Sequence, residues 1–439
     1  MKRFAKLIPM LLITLLLSGC MLTVDQMYCL PKRSDTYNDL QFAIDSAMSG
    51  LSYCAPLSGE NQQTVQEADL DGDGLNEYLL FAKSTQEEKP LRILVFKNQD
   101  GTFENTDTIE FNGTSFDQVV YVDLDGDGCT EIVVGKQVSD QVIRSVAVYT
   151  MVDNELMQLI TVNYAKFLTA DLNDDGNHEL FVLRPGQTDT DNGIAELYSM
   201  RNGEIERYNE VGMSQPADKL KRILVGKIHG GQTAVYTASA VADTALVTDV
   251  FLLQDERFVN ISLKDGSDTS VQTMRNFYVY ADDIDDDAIV ELPRLITMRG
   301  EDTLGKTDTN QLICWYAMTP VGSEVEKMHT YHNFVGGWYM RLGSDWADRV
   351  SVTTDSNQYT FSVWNEAGDA QDKLFTLHAL SGQNRESQAE YIGYITLYKT
   401  DSVVYVAELE DGADKYGLDP STVIDSFRLI QQDWKTGET

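Results

Sequence analysis

Three stretches of this chain, ADLDGDGLNEYLLF from Ala68, VDLDGDGCTEIVVG from Val122 and ADLNDDGNHELFVL from Ala170, run an acidic loop straight into an apolar strand. No other feature constrains the fold as much. Each loop sets carboxylates or an amide at relative positions one, three and five, a glycine at six and a glutamate at nine. The sets are Asp69, Asp71, Asp73 and Glu77; Asp123, Asp125, Asp127 and Glu131; and Asp171, Asn173, Asp175 and Glu179. Oxygens at that spacing converge on one point, as a hard cation with roughly six to eight oxygen ligands requires. The main-chain carbonyls of Leu75, Cys129 and Asn177, at position seven, are expected to complete each set together with water. Ca²⁺ suits the pattern better than Mg²⁺, which prefers a tighter octahedron and keeps its waters. Gly74, Gly128 and Gly176 sit where the chain must reverse sharply.

The same opening begins an EF-hand, and position twelve separates the two. An EF-hand needs a bidentate glutamate there and a helix beyond. Here the residue is Leu80, Val134 or Val182, within runs such as EIVV and ELFVL. The loops therefore lead into strands.

The spacing is that of a repeat. Asp69 to Asp123 is 123 − 69 = 54 residues, and Asp123 to Asp171 is 171 − 123 = 48. A fourth loop, DIDDDAIVE, starts at Asp283, which is 283 − 171 = 112 residues further on, or two periods. Its ligand set is Asp283, Asp285, Asp287, the Ile289 carbonyl and Glu291, with Ala288 in the glycine position. A strand ending in an aromatic follows each loop start by about one half-period: Phe96, Tyr149, Tyr198, Phe251 and Trp315. Phe251 has no acidic loop upstream. Counting back from it reaches LVGKIHGGQTAVYT, where Gly226, Ile228 and Thr233 stand about where carboxylates should. Five repeat units are expected, one of them without metal, because such units bury their apolar faces only against neighbours.

Short strands with an acidic loop at one corner resemble the FG-GAP or VCBS repeats of integrin-like β-propellers. The resemblance covers residues 64–330 and implies a mainly β, propeller-like repeat domain with calcium in the loops of its blades. A carboxylate set at Ala288 must strain an alanine if the backbone turns left-handed there. The fourth site is thus expected to bind more weakly than the first two, with the third, carrying Asn173, between them.

Ahead of the repeats, residues 1–19 read as a secretory signal, with Lys2, Arg3 and Lys6 before an apolar stretch too short to span a bilayer. The sequence Leu17, Ser18, Gly19, Cys20 resembles a bacterial lipobox. That resemblance implies cleavage before Cys20, a diacylglyceryl group on its thiol, and an extracytoplasmic lipoprotein anchored in a bacterial membrane. Residues 20–63 then hold the lipidated N-terminus, a short helix within Ser34 to Gly50 and a linker. Cys29 and Cys54 are open to pairing in an oxidising compartment. Residues 331–439 are expected to form a C-terminal α+β domain, with two further β blades as the alternative, and Asp419 is expected to cap a short helix that starts at Pro420.

The net charge of −35 becomes 31 − 69 = −38 once three basic residues leave with the signal. Such a surface excludes nucleic acid as a partner, since binding it needs basic patches that release counterions. The five histidines, His178, His229, His329, His332 and His378, form no recognisable catalytic set, and the chain has no nucleophile elbow, HExxH helix, Walker loop or dinucleotide fingerprint. Trp338, Tyr339, Trp346 and Trp364 read as core aromatics more readily than as a sugar platform. The sequence thus points to a non-enzymatic, calcium-stabilised binding or scaffolding module facing an envelope protein or glycan. The alternative is an extracytoplasmic, carbohydrate-active hydrolase with structural calcium, its carboxylate pair being set by distance in space.

Overall fold

The computed structural model describes residues 35–430 except 86, 100, 139–143, 189, 243, 265–266, 297, 299–310 and 369. The signal segment, Cys20, Cys29 and Ser34 lie outside the described residues.

Runs rich in valine, isoleucine and aromatics, broken by glycine and aspartate turns, give antiparallel meanders almost throughout. The fold is mainly β and propeller-like, a succession of four- and five-stranded sheets with no closed barrel among the described residues. The first sheet takes Glu77–Ser84, Leu91–Gln99 and Thr102–Phe111 in order, with Leu51–Tyr53 and Val65–Ala68 both pairing Glu77–Ser84. The second runs Ser115–Val122, Glu131–Gln137, Arg144–Val152 and Glu155–Tyr164. Lys166–Ala170, Glu179–Arg184, Ile194–Arg201 and Glu204–Arg207 make the third, with Val211–Gly212 added beside Ile194–Arg201. The fourth consists of Leu220–Lys227, Thr233–Val241, Ala245–Gln254 and Arg257–Asn260.

The fifth sheet orders Glu291–Ile296, Gln311–Met318, Glu324–Asn333 and Trp338–Leu342, and ends with the distant Phe427–Leu429. Residue 331, the expected start of the C-terminal region, lies inside Glu324–Asn333. The sixth sheet runs Val350–Asp355, Gln358–Trp364, Gln371–Ser381, Val403–Leu409, Tyr394–Lys399. Two short helices accompany it in the chain, Arg385–Ala389 and Pro420–Ser426. Asp419 caps the second through a capping box, with Pro420 in its first turn.

By contact density the described residues divide into two compact units, one running to Val119 and including Met151–Leu156, the other holding the rest. The first sheet belongs to the first unit, and sheets three to six belong to the second. In the first unit the helix Asp35–Ala47 buries Leu40 and Ile44 against Leu80, Leu94, Phe96 and Phe103. Each such side chain contributes roughly 1.5–3 kcal/mol by leaving water, which is what holds a short helix that propensity alone would not. In the second unit a core of Trp338, Trp346, Phe361, Phe375, Tyr405 and Phe427 joins strands of the fifth and sixth sheets. Trp338 and Trp346 are buried there as core aromatics, Tyr339 is buried in a separate cluster with Trp315, and Trp364 is partly buried.

Candidate metal centres

Four of these sheets place an acidic loop immediately before a strand that opens with its glutamate: Glu77, Glu131, Glu179 and Glu291. The loops are built alike, and an apolar residue at position two organises them. Leu70, Leu124, Leu172 and Ile284 are buried. Each donates its backbone N–H to the Oε2 of its own loop glutamate, at 2.9, 2.9, 2.9 and 3.1 Å. That bond draws the carboxylate inward beneath the loop. The position-one aspartate accepts from the backbone at position six, Gly74, Gly128, Gly176 or Ala288, at 2.9, 3.0, 2.9 and 2.8 Å. The position-five aspartate accepts from position seven, Leu75, Cys129, Asn177 or Ile289, at 2.8, 2.7, 2.8 and 2.8 Å.

These turns need two left-handed residues, at positions four and six. Position four is Gly72, Gly126, Asp174 or Asp286, and position six includes Ala288 at φ 67°. The alanine therefore carries the strain that its sequence position implied, on the order of 1–2 kcal/mol. Aspartate tolerates the left-handed region better, so the fourth position was free to vary.

The ligand atoms converge as the spacing required. Those of Asp69, Asp71 and Glu77 lie within 4.8 Å of one another, as do those of Asp123, Asp125 and Asp127 and those of Asp283, Asp285 and Glu291. The third loop forms no such carboxylate triplet, because Asn173 holds its second ligand position. The Asn173 amide instead donates to Asp175 Oδ2 and Glu179 Oε1, both at 2.9 Å.

Calcium fits these residues. Asp69 Oδ1, Glu77 Oε1, Asp125 Oδ1, Asp285 Oδ1 and Glu291 Oε1 are buried and accept no hydrogen bond. An inward carboxylate oxygen with no donor is costly to bury unless a cation meets it. Burial pushes Glu131 and Glu179 up to about 7 and Glu291 up to about 8, with neighbouring aspartates adding to the effect, and raises Glu77 as well. Four carboxylates crowded together in this way favour either a proton or a metal ion. A bound cation would take the Asp, Asn and Glu oxygens at positions one, three, five and nine, and would supply structural bracing.

Two features of the sites were not visible in the sequence. The Lys97 ammonium pairs with Asp71 and lies 3.1 Å from Asp73 Oδ2 and 3.5 Å from Glu77 Oε1. Lys327 donates to Asp287 Oδ2 at 2.6 Å. Hydrogen bonds to Asp71 and Asp287 respectively raise the two lysines above the ordinary range, so both stay charged. The second loop has no ion pair among the described residues, and its Glu131 Oε1 accepts from the Thr150 hydroxyl at 2.9 Å.

Where the other sheets carry an acidic loop, the fourth carries a shorter connection rather than a full-length loop stripped of its carboxylates. Between Lys227 and Thr233 only residues 228–232 remain, whereas the acidic loops span 69–76, 123–130, 171–178 and 283–290. A tight hairpin replaces the loop, with Ile228 N–H donating to Gln232 O at 2.9 Å. Thr233 stands where the other sheets place glutamate, and Gly226 and Ile228 fall in or beside the preceding strand. In the fifth sheet Tyr316 lies opposite Leu292, the residue after the loop glutamate, so Tyr316 rather than Trp315 matches Phe96, Tyr149 and Tyr198.

Outside the loops, Cys314, Glu326 and His329 bring their ligand atoms within 4.8 Å of one another. The Arg294 guanidinium donates to Cys314 Sγ at 3.7 Å, which opposes a second cation there. His332 is buried, bonded to Thr330 Oγ1 at 2.8 Å and stacked on Tyr339, and its burial holds it neutral, down at about 3. His332 is therefore a core residue.

Comparison with known proteins bears on the loops first. Residues 69–134 match the FG-GAP-like repeat family. That segment contains the first two acidic loops and their strands. No curated protein matches the chain. Among solved structures, an exotype rhamnogalacturonan lyase, YesX, is similar at 14% identity and a TM-score of 0.29, over 74% of this chain and 65% of its own, so the chain spans just under two thirds of that neighbour. A rhamnogalacturonan lyase from Bacillus licheniformis is similar at 12% identity and a TM-score of 0.28, over 86% of this chain and 77% of its own. A protein from Lactobacillus plantarum is similar at 9% and 0.26, over 73% and 86%. At TM-scores of 0.29 and below, the chemistry of these neighbours is not transferred to this chain.

Proposed function

We propose that this chain is a calcium-braced, non-enzymatic binding or scaffolding module, held at a bacterial membrane by a lipid on Cys20 and facing an envelope protein or glycan outside the cytoplasm. The observation that supports the calcium reading most directly is the buried carboxylate oxygen left without a donor in three separate loops of one design. External calcium is abundant enough to fill sites of moderate affinity. The FG-GAP-like match over residues 69–134 agrees with a repeat whose loops bind cations. Lipidation rests on the sequence around Cys20, and among the described residues no helix is long and apolar enough to cross a membrane.

Ligand that binds only the folded state raises stability by mass action, about 2.7 kcal/mol per site at a hundredfold excess over Kd. The melting temperature of the purified protein should rise with calcium and fall with EDTA. A melting temperature indifferent to both would reject the reading. Affinity capture from native envelope, with and without calcium, should then recover a partner whose retention depends on the ion, and an equal set of captured proteins in both conditions would separate the bracing role from partner binding.

A further inference from the structure

The four loops share one ligand pattern but differ in what already stands among their oxygens. Lys97 follows Phe96, and the cross-strand partner of Phe96 is Tyr78, the residue after Glu77. Thr150 and Ser199 hold the same place in the next two sheets, one residue past Tyr149 and Tyr198, whose partners Ile132 and Leu180 follow Glu131 and Glu179. A lysine there reaches three of the first loop's four carboxylates: Asp71, Asp73 and Glu77. Threonine instead donates one neutral hydrogen bond, to Glu131.

The fourth loop arrives at the same arrangement by another route. Lys327 comes from Glu324–Asn333, the third strand of its sheet rather than the second, and pairs with Asp287 while Asp285 and Glu291 act on it electrostatically. Two lysines from non-equivalent strand positions thus carry ammonium groups into loops of one design. An ammonium offers three donors and one positive charge to the oxygens a divalent ion would use. Being tethered, it competes at a high effective concentration, and a calcium ion must displace it before binding.

We propose that Lys97 and Lys327 are built-in cations of the first and fourth loops, so that these two loops keep their form without calcium and the tight calcium sites of the chain are the second and third. The proposal rests on the calcium reading above and reverses the order that ligand charge alone implies, in which the first loop equals the second. The first five sheets divide accordingly into two braced by lysine, two braced by metal, and one that needs neither because its loop is a short hairpin.

Calorimetric calcium titration of the full-length protein in detergent, with melting temperature as the second readout, tests this. The wild-type chain should show two tight sites, and Lys97→Met and Lys327→Met should each show three. Tightening at the freed loop should be roughly tenfold or more, the scale of removing one like charge from a partly buried site. Lys97→Arg, which keeps the charge, should retain two. Lys97→Met should also melt lower than wild type in EDTA and recover in calcium, a gain wild type would not show at that loop. Four tight sites in the wild-type chain, or two in every variant, would overturn the proposal while leaving the calcium reading intact. Failure of Lys97→Met to fold in saturating calcium would overturn it too, because calcium is expected to replace the ammonium. Absence of any binding to wild type would instead remove the calcium reading itself.

Discussion

The second and fourth sheets solve the same problem of buried charge in opposite ways. In the second, Glu131 is buried and Asp125 keeps one buried oxygen without a donor among the described residues. In the fourth, Asp249 is equally buried, but it accepts from Ser214 N–H at 2.8 Å, the Ser214 hydroxyl at 2.6 Å and Asn260 Nδ2 at 3.0 Å. Arg275, also buried, donates to Val279 O at 2.7 Å and to Thr248 Oγ1 and Thr273 O at 3.0 Å. Charge inside a sheet is therefore not itself a mark of a metal site. What sets the second sheet apart is a buried carboxylate oxygen to which the described residues bring neither a donor nor an ammonium group.

That contrast can be broken at Asp249, where the largest effect is expected. Asp249→Ala leaves Ser214 and Asn260 with buried donors unmet, and removing one partner of a buried charged network costs about 3 kcal/mol or more. Denaturant unfolding should show this loss equally in calcium and in EDTA. A loss that appeared only in one condition would link the fourth sheet to metal after all. Asp125→Asn should behave in the reverse manner. In EDTA it should change stability by less than about 1 kcal/mol, since the inward oxygen had no partner to lose, while in calcium the stabilisation of that site, about 2.7 kcal/mol at a hundredfold excess over Kd, should fall to that of the third loop, which carries Asn173 at the same position. Equal effects of Asp125→Asn in both conditions would erase the distinction.

Acidity separates the two kinds of buried group by sign. Glu131 and Glu179 at about 7, and Glu291 at about 8, lie above the ordinary 4.5, so the calcium-free folded state holds protons that the unfolded state releases. Between pH 4.5 and about 7 those groups make the apo protein relatively more stable as pH falls. The same protons compete with calcium, so calcium affinity should weaken as pH is lowered from 8 to 6. His332 acts oppositely: at about 3 in the fold against 6.5 unfolded, its contribution is present above 6.5 and is lost as pH falls towards 3. Titrations at pH 8 and pH 6 that returned one calcium affinity would count against proton competition in the loops. His332→Phe should flatten the acid limb of stability without changing that affinity.

Much of this was legible in the residues because calcium geometry demands particular oxygens at particular positions. The acidic loops, their glycines, the strands beyond them and the lack of an acidic loop in the fourth unit all follow from spacing within a few residues. The buried position-two residues, Leu70, Leu124, Leu172 and Ile284, were open to the same reading, since an apolar residue recurs there in every loop. Lys97 and Lys327 were not, because their approach depends on which strand lies beside the loop and in what register. Nor was the pairing of Trp338–Leu342 with Phe427–Leu429, which joins segments far apart in sequence. Local pattern speaks for a loop's ligands, while the groups that compete for those ligands come from across the sheet.

The smallest expected effect concerns the fourth loop alone. Ala288 adopts φ 67° where the other loops carry glycine, and its N–H is held by Asp283 Oδ2 at 2.8 Å, so the turn is imposed by the same bond as in its counterparts. Ala288→Gly should relieve the left-handed strain, offset in part by the greater freedom of glycine in the unfolded chain, for a net gain of about 0.5–1 kcal/mol. If Lys327 braces this loop, the gain should be the same in calcium and in EDTA, because relaxing the backbone leaves the ammonium in place. A gain seen only in calcium would show that strain at Ala288, rather than Lys327, is what keeps the ion out of the fourth loop.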